Sequence, residues 1–582
     1  MPHKIYKSLT PSVDLTFQSI FSHLFTPDGQ GNIGGYPGSR AAFIDGDTNT
    51  VITRSVLRQL SLSLAYGLTK PSPSSPALVP LKKGDTIMIF SPNSITWPIA
   101  LFGSVAGGLR CTLANSAYTP NELHHQWSDS HAKLVFVHPI ALPTVLEMFK
   151  THLGWSEAEA HKHIVILGTE WLTGAKDEGA PAAAKFTQLP ALLNRGTLES
   201  EVRFDGKHIN ETVYLCYSSG TTGKPKGVET THKNIVAVVQ MVMPIFPPWR
   251  NEDVMLGMLP FYHIYGAVKL IHFPFQCGVP VVVMPKFSVE AFCQHVEKYR
   301  VTAALVVPPM LLGIAKHPAT SKSDLRTLRM LFSGAAPLGS VLVDATRARL
   351  KSVGAEVDVT QGYGLTETSP TTHVLPTADS LRKVGSIGVL LPNLEARLIG
   401  EDDVTDVGEG EAGELWVRGP SVMKGYLGNV AATRSSITPD GWFKTGDVAM
   451  RDAEGFYKIV DRRKELIKYK GFQVPPAELE SVLLAHPDIA DVAVIGIDSR
   501  AEETELPRAY VVPAAPPADP AAFGKSIQEW IKTRVARHKQ LRGGVVCIDV
   551  IPKSAAGKIL RRELRELAKK ELAEAEPVKA KL

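Results

Sequence analysis

The sequence predicts an α/β protein in two parts, a large amino-terminal domain of layered α/β subdomains and a small carboxy-terminal α+β domain. Two observations carry this reading. Short apolar runs alternate with helical patterns over most of the chain, which implies layers built on largely parallel sheets. After Asp447 the pattern changes to closely spaced strands with fewer helices between them. Length agrees, because 582 residues with 44% hydrophobic content can bury more than one core.

Each element follows from its local pattern. Asp85-Thr86-Ile87-Met88-Ile89-Phe90 reads as a buried strand, and the stretch from Trp97 to Gly107 as the helix after it. Gly174 to Ala184, rich in Gly and Ala with one Pro, reads as a surface insertion. Glu211 to Tyr217 is dense in β-formers and reads as a strand, as does Val279 to Met284. Phe456 to Val460 and Glu465 to Tyr469 read as paired strands, and Pro476 opens a helix in the first-turn position that proline tolerates. Strands from Asp491 to Ile497 and from Ala509 to Val512, with a helix from Pro520 to about Arg537, complete the small unit. Pro513 to Ala522 reads as a loop within it. The boundary is placed at Asp461-Arg462, dividing the chain into 1–460 and 461–582.

Bulk properties narrow the function class. A net charge of +5 is small for this length and argues against a general nucleic-acid binder, although Lys and Arg concentrate toward the carboxy terminus and could attract anionic cofactors. Five scattered cysteines without CxxC pairs suggest a reducing compartment and buried free thiols. Met1 to Thr10 lacks the apolar core of a secretory signal, and no run of 18 apolar residues occurs, so a soluble protein is expected.

The most informative stretch is Ser218-Ser219-Gly220-Thr221-Thr222-Gly223-Lys224-Pro225-Lys226-Gly227. Its glycines permit tight turns and close approach of a ligand, and successive N–H groups in such turns form an anion-binding nest. Four hydroxyls and two ammonium groups add donors, so the loop suits a polyphosphate. It is not a Walker loop, since position 218 is serine and Pro225 follows Lys224. A flexible loop without a ligand has the same composition, so the residues alone leave both readings open.

The full string resembles the signature of the adenylate-forming superfamily of acyl-CoA synthetases, luciferases and peptide-synthetase adenylation domains. Further strings match in the family's order. They are Pro260-Phe261-Tyr262-His263-Ile264-Tyr265-Gly266, Ser333-Gly334-Ala335-Ala336-Pro337, Gln361-Gly362-Tyr363-Gly364-Leu365-Thr366-Glu367, Trp442-Phe443-Lys444-Thr445-Gly446-Asp447, Asp461-Arg462-Arg463-Lys464-Glu465-Leu466-Ile467-Lys468 and Pro552-Lys553-Ser554-Ala555-Ala556-Gly557-Lys558. The run from Lys468 to Glu480 is most similar to the 4-coumarate-CoA ligase-like branch.

The resemblance implies carboxylate activation, in which R-COO⁻ attacks the α-phosphorus of ATP to give acyl-AMP and pyrophosphate before the thiol of CoA displaces AMP. It also implies that the small domain is mobile. An anion must approach a polyanion, so cations and oriented donors are needed where charge develops. By their matches, Lys558 would bridge carboxylate and α-phosphate, Thr366 would bind the α-phosphate, and Glu367 would hold Mg²⁺. Tyr363 would present a flat face to adenine, beside a backbone wall from Ser333 to Ala336. Asp447 would take the ribose hydroxyls, assisted by Arg462. Ser218 to Gly223, Lys226, Ala335, Gln361, Gly362, Lys464, Lys468 and Gln473 would complete the nucleotide site. His263 would gate the passage between acyl pocket and thiol channel, while Lys286, Lys470 and Gly471 would meet CoA. The acyl pocket would be lined by Tyr265, Lys269, Phe332, Ala335, Gly362, Pro370, Thr371 and Thr372.

Departures from the branch bear on specificity. Lys269 stands where hydroxycinnamate ligases usually have a small residue, Thr371-Thr372 replaces apolar residues, and Gly413-Glu414-Leu415-Trp416-Val417-Arg418-Gly419 has the form common in the wider superfamily. Strict 4-coumarate specificity is therefore not expected, and aryl, arylalkyl and medium-chain fatty acids all remain candidates. A peptide-synthetase domain would place an aspartate in the stretch Tyr262-His263-Ile264-Tyr265, which has none. A stand-alone adenylating enzyme with another acceptor and a non-catalytic nucleotide sensor are the remaining alternatives, although a sensor would be expected to lose Lys558 or Glu367. No transition-metal site held by protein ligands is expected, because the histidines show no ligand spacing. The ending Ala580-Lys581-Leu582 resembles the S-K-L address read by the peroxisomal import receptor. A peroxisomal enzyme is expected, with a cytoplasmic location as the alternative.

Overall fold

The computed structural model describes residues 3–70, 78–218, 224–336, 338–470, 472–499, 502, 504–554 and 557–579, with side chains to residue 572. Two large sheets form the body. The first has eight strands in the spatial order Thr187–Gln188, Ile164–Ile166, Ala132–Val137, Thr86–Phe90, Arg110–Ala114, Thr212–Ser218, Lys226–Thr231 and Gly425–Tyr426. Its first six strands are parallel and the last two pair antiparallel. The second has nine strands, with a parallel centre running from Asp358–Gly364 through Met330–Ser333, Ala303–Val306, Met255–Gly257 and Val281–Val283 to Ala41–Asp45.

Burial explains why the apolar runs became parallel strands. Every residue of Thr86–Phe90 and of Val281–Val283 is buried, as befits strands covered on both faces. Helix Trp97–Ala106 is apolar all round and buried at every position, so it serves as internal packing. One hydrophobic cluster joins it to Ile87 and Ile89 of the first sheet and to Ala303 and Leu305 of the second.

A third sheet, antiparallel, takes Tyr6–Lys7, Glu395–Ile399, Gly413–Arg418, Phe443–Arg451 and Tyr457–Arg462 in that order. Here the expected pairing is corrected. Tyr457–Arg462 pairs with Phe443–Arg451, whereas Ile467–Tyr469 pairs with Phe472–Val474. The amides of Glu465 and Leu466 both donate to the Arg462 carbonyl, at 2.9 and 3.0 Å, and this turn carries the chain out of the sheet.

Beyond that turn the chain folds into the small α+β unit. A three-stranded sheet of Ile489–Ser499, Thr504–Pro513 and Val545–Cys547 is accompanied by helices Pro476–Leu483, Pro520–Lys532 and Arg561–Lys579. Pro476 stands in the first turn of its helix, and Asp461 accepts from the Ala477 amide at 3.0 Å. The helix from Pro520 stops at Lys532, short of Arg537, and only 514–519 of the expected loop lies between elements. The Gly174–Ala184 stretch is also tied down more than expected, because Ala180–Ala183 is helical, Ala183 is buried and Asp177 accepts from the Thr169 amide at 2.7 Å. All five cysteines are free thiols, four of them buried. Among the described residues no helix is long and apolar enough to cross a membrane.

Candidate active site

Chain segments from all three large sheets and the small domain converge on one cavity of about 1320 Å³. That exceeds the roughly 300–1,000 Å³ of a typical small-ligand pocket, so more than one substrate can be held together.

The strands that flank the phosphate-loop candidate pair antiparallel. Ser218 ends one strand and pairs directly with Lys226 on the antiparallel return strand. Ser219, Gly220, Thr221, Thr222 and Gly223 lie outside the described residues. Where the first strand ends, the Ser218 hydroxyl donates to Glu367 Oε1 at 2.8 Å, and Tyr426 donates to the same oxygen at 2.9 Å. His125 Nε2 donates to the Pro225 carbonyl at 2.9 Å, anchoring the far side. Lys226 Nζ stands 4.5 Å from the Tyr426 ring centroid, and Thr366 shares a short 3₁₀ turn with Glu367. Ser218, Lys226, Thr366 and Glu367 all line the cavity.

The nucleoside side is built from tight backbone. Ala335 adopts φ +68°, a left-handed conformation unusual for a residue with a Cβ, at the turn after strand Met330–Ser333. A Cβ on Gly362 would fall 2.5 Å from the Phe332 ring, so glycine is needed there. Tyr363 lines the cavity with its ring and donates its hydroxyl to Asp447. Asp447 is opposite Arg462 in the strand register, and Arg462 Nε approaches its carboxylate at 3.4 Å. Burial pushes the Asp447 carboxyl upward, and Arg462 opposes that shift. Gln361 does not line the cavity; it is buried within the parallel strand, and its carbonyl accepts from Leu375 at 2.8 Å.

Lys558 reaches the cavity from the small domain. Its backbone closes a hairpin turn, with Ser554 N bonded to the Lys558 carbonyl at 2.8 Å and Lys558 N bonded to Ser554 Oγ at 3.2 Å. Gly557 at φ +77° lets the turn lie against Val307 and Pro309 of the large domain. Burial, helped by the charge of Arg462, lowers the Lys558 ammonium to about 8, while Glu465, Asp447 and Glu367 act to keep it charged. His263 lines the same cavity and is held neutral near 4 by burial and by Lys558. Its Nδ1 accepts from the Tyr265 amide at 3.2 Å. Phe261, two residues before it, packs edge-on against Trp97 in the core.

Of the acyl-pocket candidates, Tyr265, Phe332, Ala335, Gly362, Pro370 and Thr371 line the cavity, whereas Lys269 and Thr372 do not. Thr372 turns its hydroxyl to the Tyr363 carbonyl and the His373 ring. Lys269 is buried one turn beyond Tyr265 in a π-helical segment, Ala267–His272. Its ammonium lies 5.1 Å from the Phe273 ring, without a hydrogen-bond partner among the described residues, and burial lowers it to about 7.

The remaining candidates divide by domain. Lys464 and Lys468 line the cavity, but Gln473 bonds to Glu401 of the large domain outside it. Lys286 is exposed, and Lys470 pairs with Glu502 at 2.8 Å; neither lines the cavity. Gly471 and the terminal Ala580, Lys581 and Leu582 lie outside the described residues. Sequence reasoning missed Tyr426, which sits in no recognisable string, and the Arg463–Glu414 pair at 2.8 Å on the cavity wall. Glu414 belongs to a recognisable string, but only the fold shows its partner.

A large α/β domain, a small α+β domain and a nucleotide-sized cavity at their junction are the architecture of an adenylate-forming enzyme. Comparison with known proteins agrees. A family model described as AMP-binding enzyme matches residues 32–427, and one described as the AMP-binding enzyme C-terminal domain matches residues 478–558. The chain therefore belongs to the AMP-binding enzyme family. It is 38% identical over 494 residues to a probable 4-coumarate-CoA ligase 1 of Dictyostelium discoideum, spanning 84% of this chain and 86% of that one. It is 39% identical over 492 residues to 4-coumarate-CoA ligase 2 of Oryza sativa subsp. japonica, 83% of each chain. Among solved structures, o-succinylbenzoate CoA synthetase from Bacillus subtilis in complex with its acyl-adenylate intermediate superposes with a TM-score of 0.71 at 26% identity, covering 90% of this chain and 95% of that one. The anthranilate CoA ligase AuaEII, at 22% identity with a TM-score of 0.80 and coverage of 96% and 99%, shares the fold.

Proposed function

We propose that this protein is an ATP-dependent acyl-CoA ligase, which activates a carboxylic acid as acyl-AMP and passes the acyl group to CoA. The observation that carries the reading is that Lys558, Arg462, Thr366 and Glu367 line a single cavity beside the Asp447–Tyr363 pair. Such a site offers cations and donors where an anion must meet a polyphosphate. In the first step a carboxylate oxygen attacks the α-phosphorus, the bond to the bridging oxygen breaks, and pyrophosphate leaves. Lys558 spans carboxylate and α-phosphate while Thr366 donates to the latter. The stretch from Ser218 to Lys226 holds the outer phosphates, Tyr363 covers adenine, and Asp447 with Arg462 takes the ribose hydroxyls.

Glu367 fits a divalent cation. Its carboxylate is a hard oxygen donor facing the phosphate-loop base, and no group of three or more His, Cys, Asp or Glu among the described residues could cage a metal. Mg²⁺ there would take its other oxygens from phosphate and water, and would supply charge neutralisation. In the second step the small domain turns about Asp461-Arg462, neutral His263 clears the thiol path, and Lys470, Gly471 and Lys286 meet CoA. An aryl acid is favoured, because Tyr265 and Phe332 wall the acyl end and the relatives at 38% and 39% identity are named for 4-coumarate.

Pyrophosphate release across a panel of aryl, arylalkyl and medium-chain acids, with and without CoA, tests the proposal. Release with at least one acid, accompanied by CoA thioester, is expected. Adenylate formation without thioester would mean another acceptor, and no release with any acid would favour a nucleotide sensor.

A further inference from the structure

Among the described residues no side chain pairs with the Lys558 ammonium, so its position depends on the hairpin that carries it. That hairpin is short. Pro552 O accepts from Leu560 N at 2.8 Å, Lys553 and Ile559 form an antiparallel bridge, and helix Arg561–Lys579 begins at once. Both legs are tied to the same neighbouring strand, Ile489–Ser499. On the incoming leg Lys553 pairs with Asp491 at 2.6 Å. On the outgoing leg Arg561 Nε donates to the Val494 carbonyl at 3.2 Å.

Arg561 does more than close the leg. Its Nη2 reaches both oxygens of Glu480 at 2.7 Å, and its Nη1 donates to Glu465 at 2.8 Å. All three side chains are nearly buried, at 10–12% exposure. Glu480 is itself oriented by accepting the Val494 amide at 2.8 Å. A buried guanidinium needs acceptors on each edge, and these three groups supply them. Arg561 is therefore not the start of a solvated basic face, as its place in a basic run would suggest. Glu465 lies in the turn that leaves the large domain, Glu480 is on helix Pro476–Leu483, and Val494 is on the edge strand Ile489–Ser499 of the small sheet. The clamp therefore lies wholly within the small domain and travels with Lys558.

We infer that Arg561 is the positioning residue for Lys558, with Glu480 and Glu465 as its fixed anchors. The inference rests on the ligase reading, in which Lys558 serves the first half-reaction. Arg561 touches no substrate. It sets the hairpin's height above the cavity, and a displacement of about 1 Å at a reacting group can cost on the order of 10²-fold in rate.

The test compares the two half-reactions in Arg561→Met and Arg561→Lys, using the acid that gives most pyrophosphate with the parent enzyme. Arg561→Met is expected to lower kcat for acyl-adenylate formation by about 30-fold or more, with KM for ATP within about 3-fold. Thioester formation from supplied acyl-AMP and CoA should stay within about 3-fold, since a folded small domain suffices for it. Arg561→Lys keeps the charge without the fork, and should lose activity to an intermediate degree in the same half-reaction only. Should Arg561→Met prove insoluble, Arg561→Lys alone decides. Equal losses in both half-reactions, or unchanged adenylate formation, would overturn the inference. If the parent releases no pyrophosphate with any acid, the ligase reading fails first, and the inference falls with it.

Discussion

Asp447 and Arg462 face each other across an antiparallel strand pair, 15 positions apart in the chain but adjacent at 3.4 Å, with the Tyr363 hydroxyl closing on the same carboxylate. The last strand of the large domain thus carries a ribose-binding candidate's partner at the point where the small domain begins. Asp447→Ala removes two acceptor oxygens and leaves Arg462 with its longer contact to Glu465 at 4.0 Å. The expected result is a fall of at least about 10²-fold in kcat/KM for ATP, in line with leaving buried polar groups unpaired. Steady-state kinetics at fixed acid would show it, and a change smaller than about 3-fold would remove Asp447 from the nucleotide site.

Lys558→Ala should lower acyl-adenylate formation by at least about 10²-fold, because one preorganised charge partner at a developing anion is lost. Thiolysis of supplied acyl-AMP should be largely spared. Measuring the half-reactions separately checks this, and equal damage to both would contradict the division of labour.

The same lysine predicts a pH dependence. Its ammonium titrates near 8 because burial, then Arg462, disfavour the charge. Adenylate formation needs the charged form, so kcat/KM should be sustained below that pH and decline as pH rises through it. Glu465 favours the charged form, and Glu465→Gln should therefore move the alkaline limb to lower pH. A limb that stays put would mean that another group titrates. His263, neutral down to about 4, should not contribute between pH 6 and 8.

Specificity should follow the wall and not the buried lysine behind it. Thr371 lines the cavity, and Thr371→Val is expected to shift kcat/KM toward apolar acids over hydroxylated ones by about 10-fold. Lys269 lies outside that wall, so Lys269→Met should leave the ranking of acids unchanged. Its effect should be on stability. The folded-state value near 7 lies below the ordinary 10.5, so the native protein binds fewer protons than the unfolded chain between those limits. The lysine therefore destabilises fully below about pH 7, and the penalty fades toward pH 10.5. Thermal melts should show a higher midpoint for Lys269→Met at pH 7 and a flatter rise with pH above it. An altered acid ranking would return Lys269 to the pocket.

Much of this was legible in residue order. Uninterrupted apolar runs such as Thr86–Phe90 specify strands buried on both faces, since only such strands can do without a polar side, and the parallel sheets follow. The glycine at 557, with its positive φ, and the proline at 476, in the first turn of its helix, each state a local backbone requirement that needs no partner to be read. The tertiary structure alone decided what depends on which segments meet. The residues of strand Tyr457–Arg462 do not name its partner, and it pairs with the preceding strand, where the register sets Arg462 against Asp447. Thr372 follows the cavity-lining Thr371 yet points elsewhere because the strand pleat chooses the face, and Lys269 lies one turn beyond the cavity-lining Tyr265 yet off the wall. Arg561 reads as one cation in a basic run, and only the fold brings Glu465, Glu480 and Val494 around it. Local conformation is set by short-range sterics and hydrogen bonding within a few residues, so sequence reveals it. Ion pairs and cavity walls arise from contacts between distant segments, and their partners become visible only when the chain has closed upon itself.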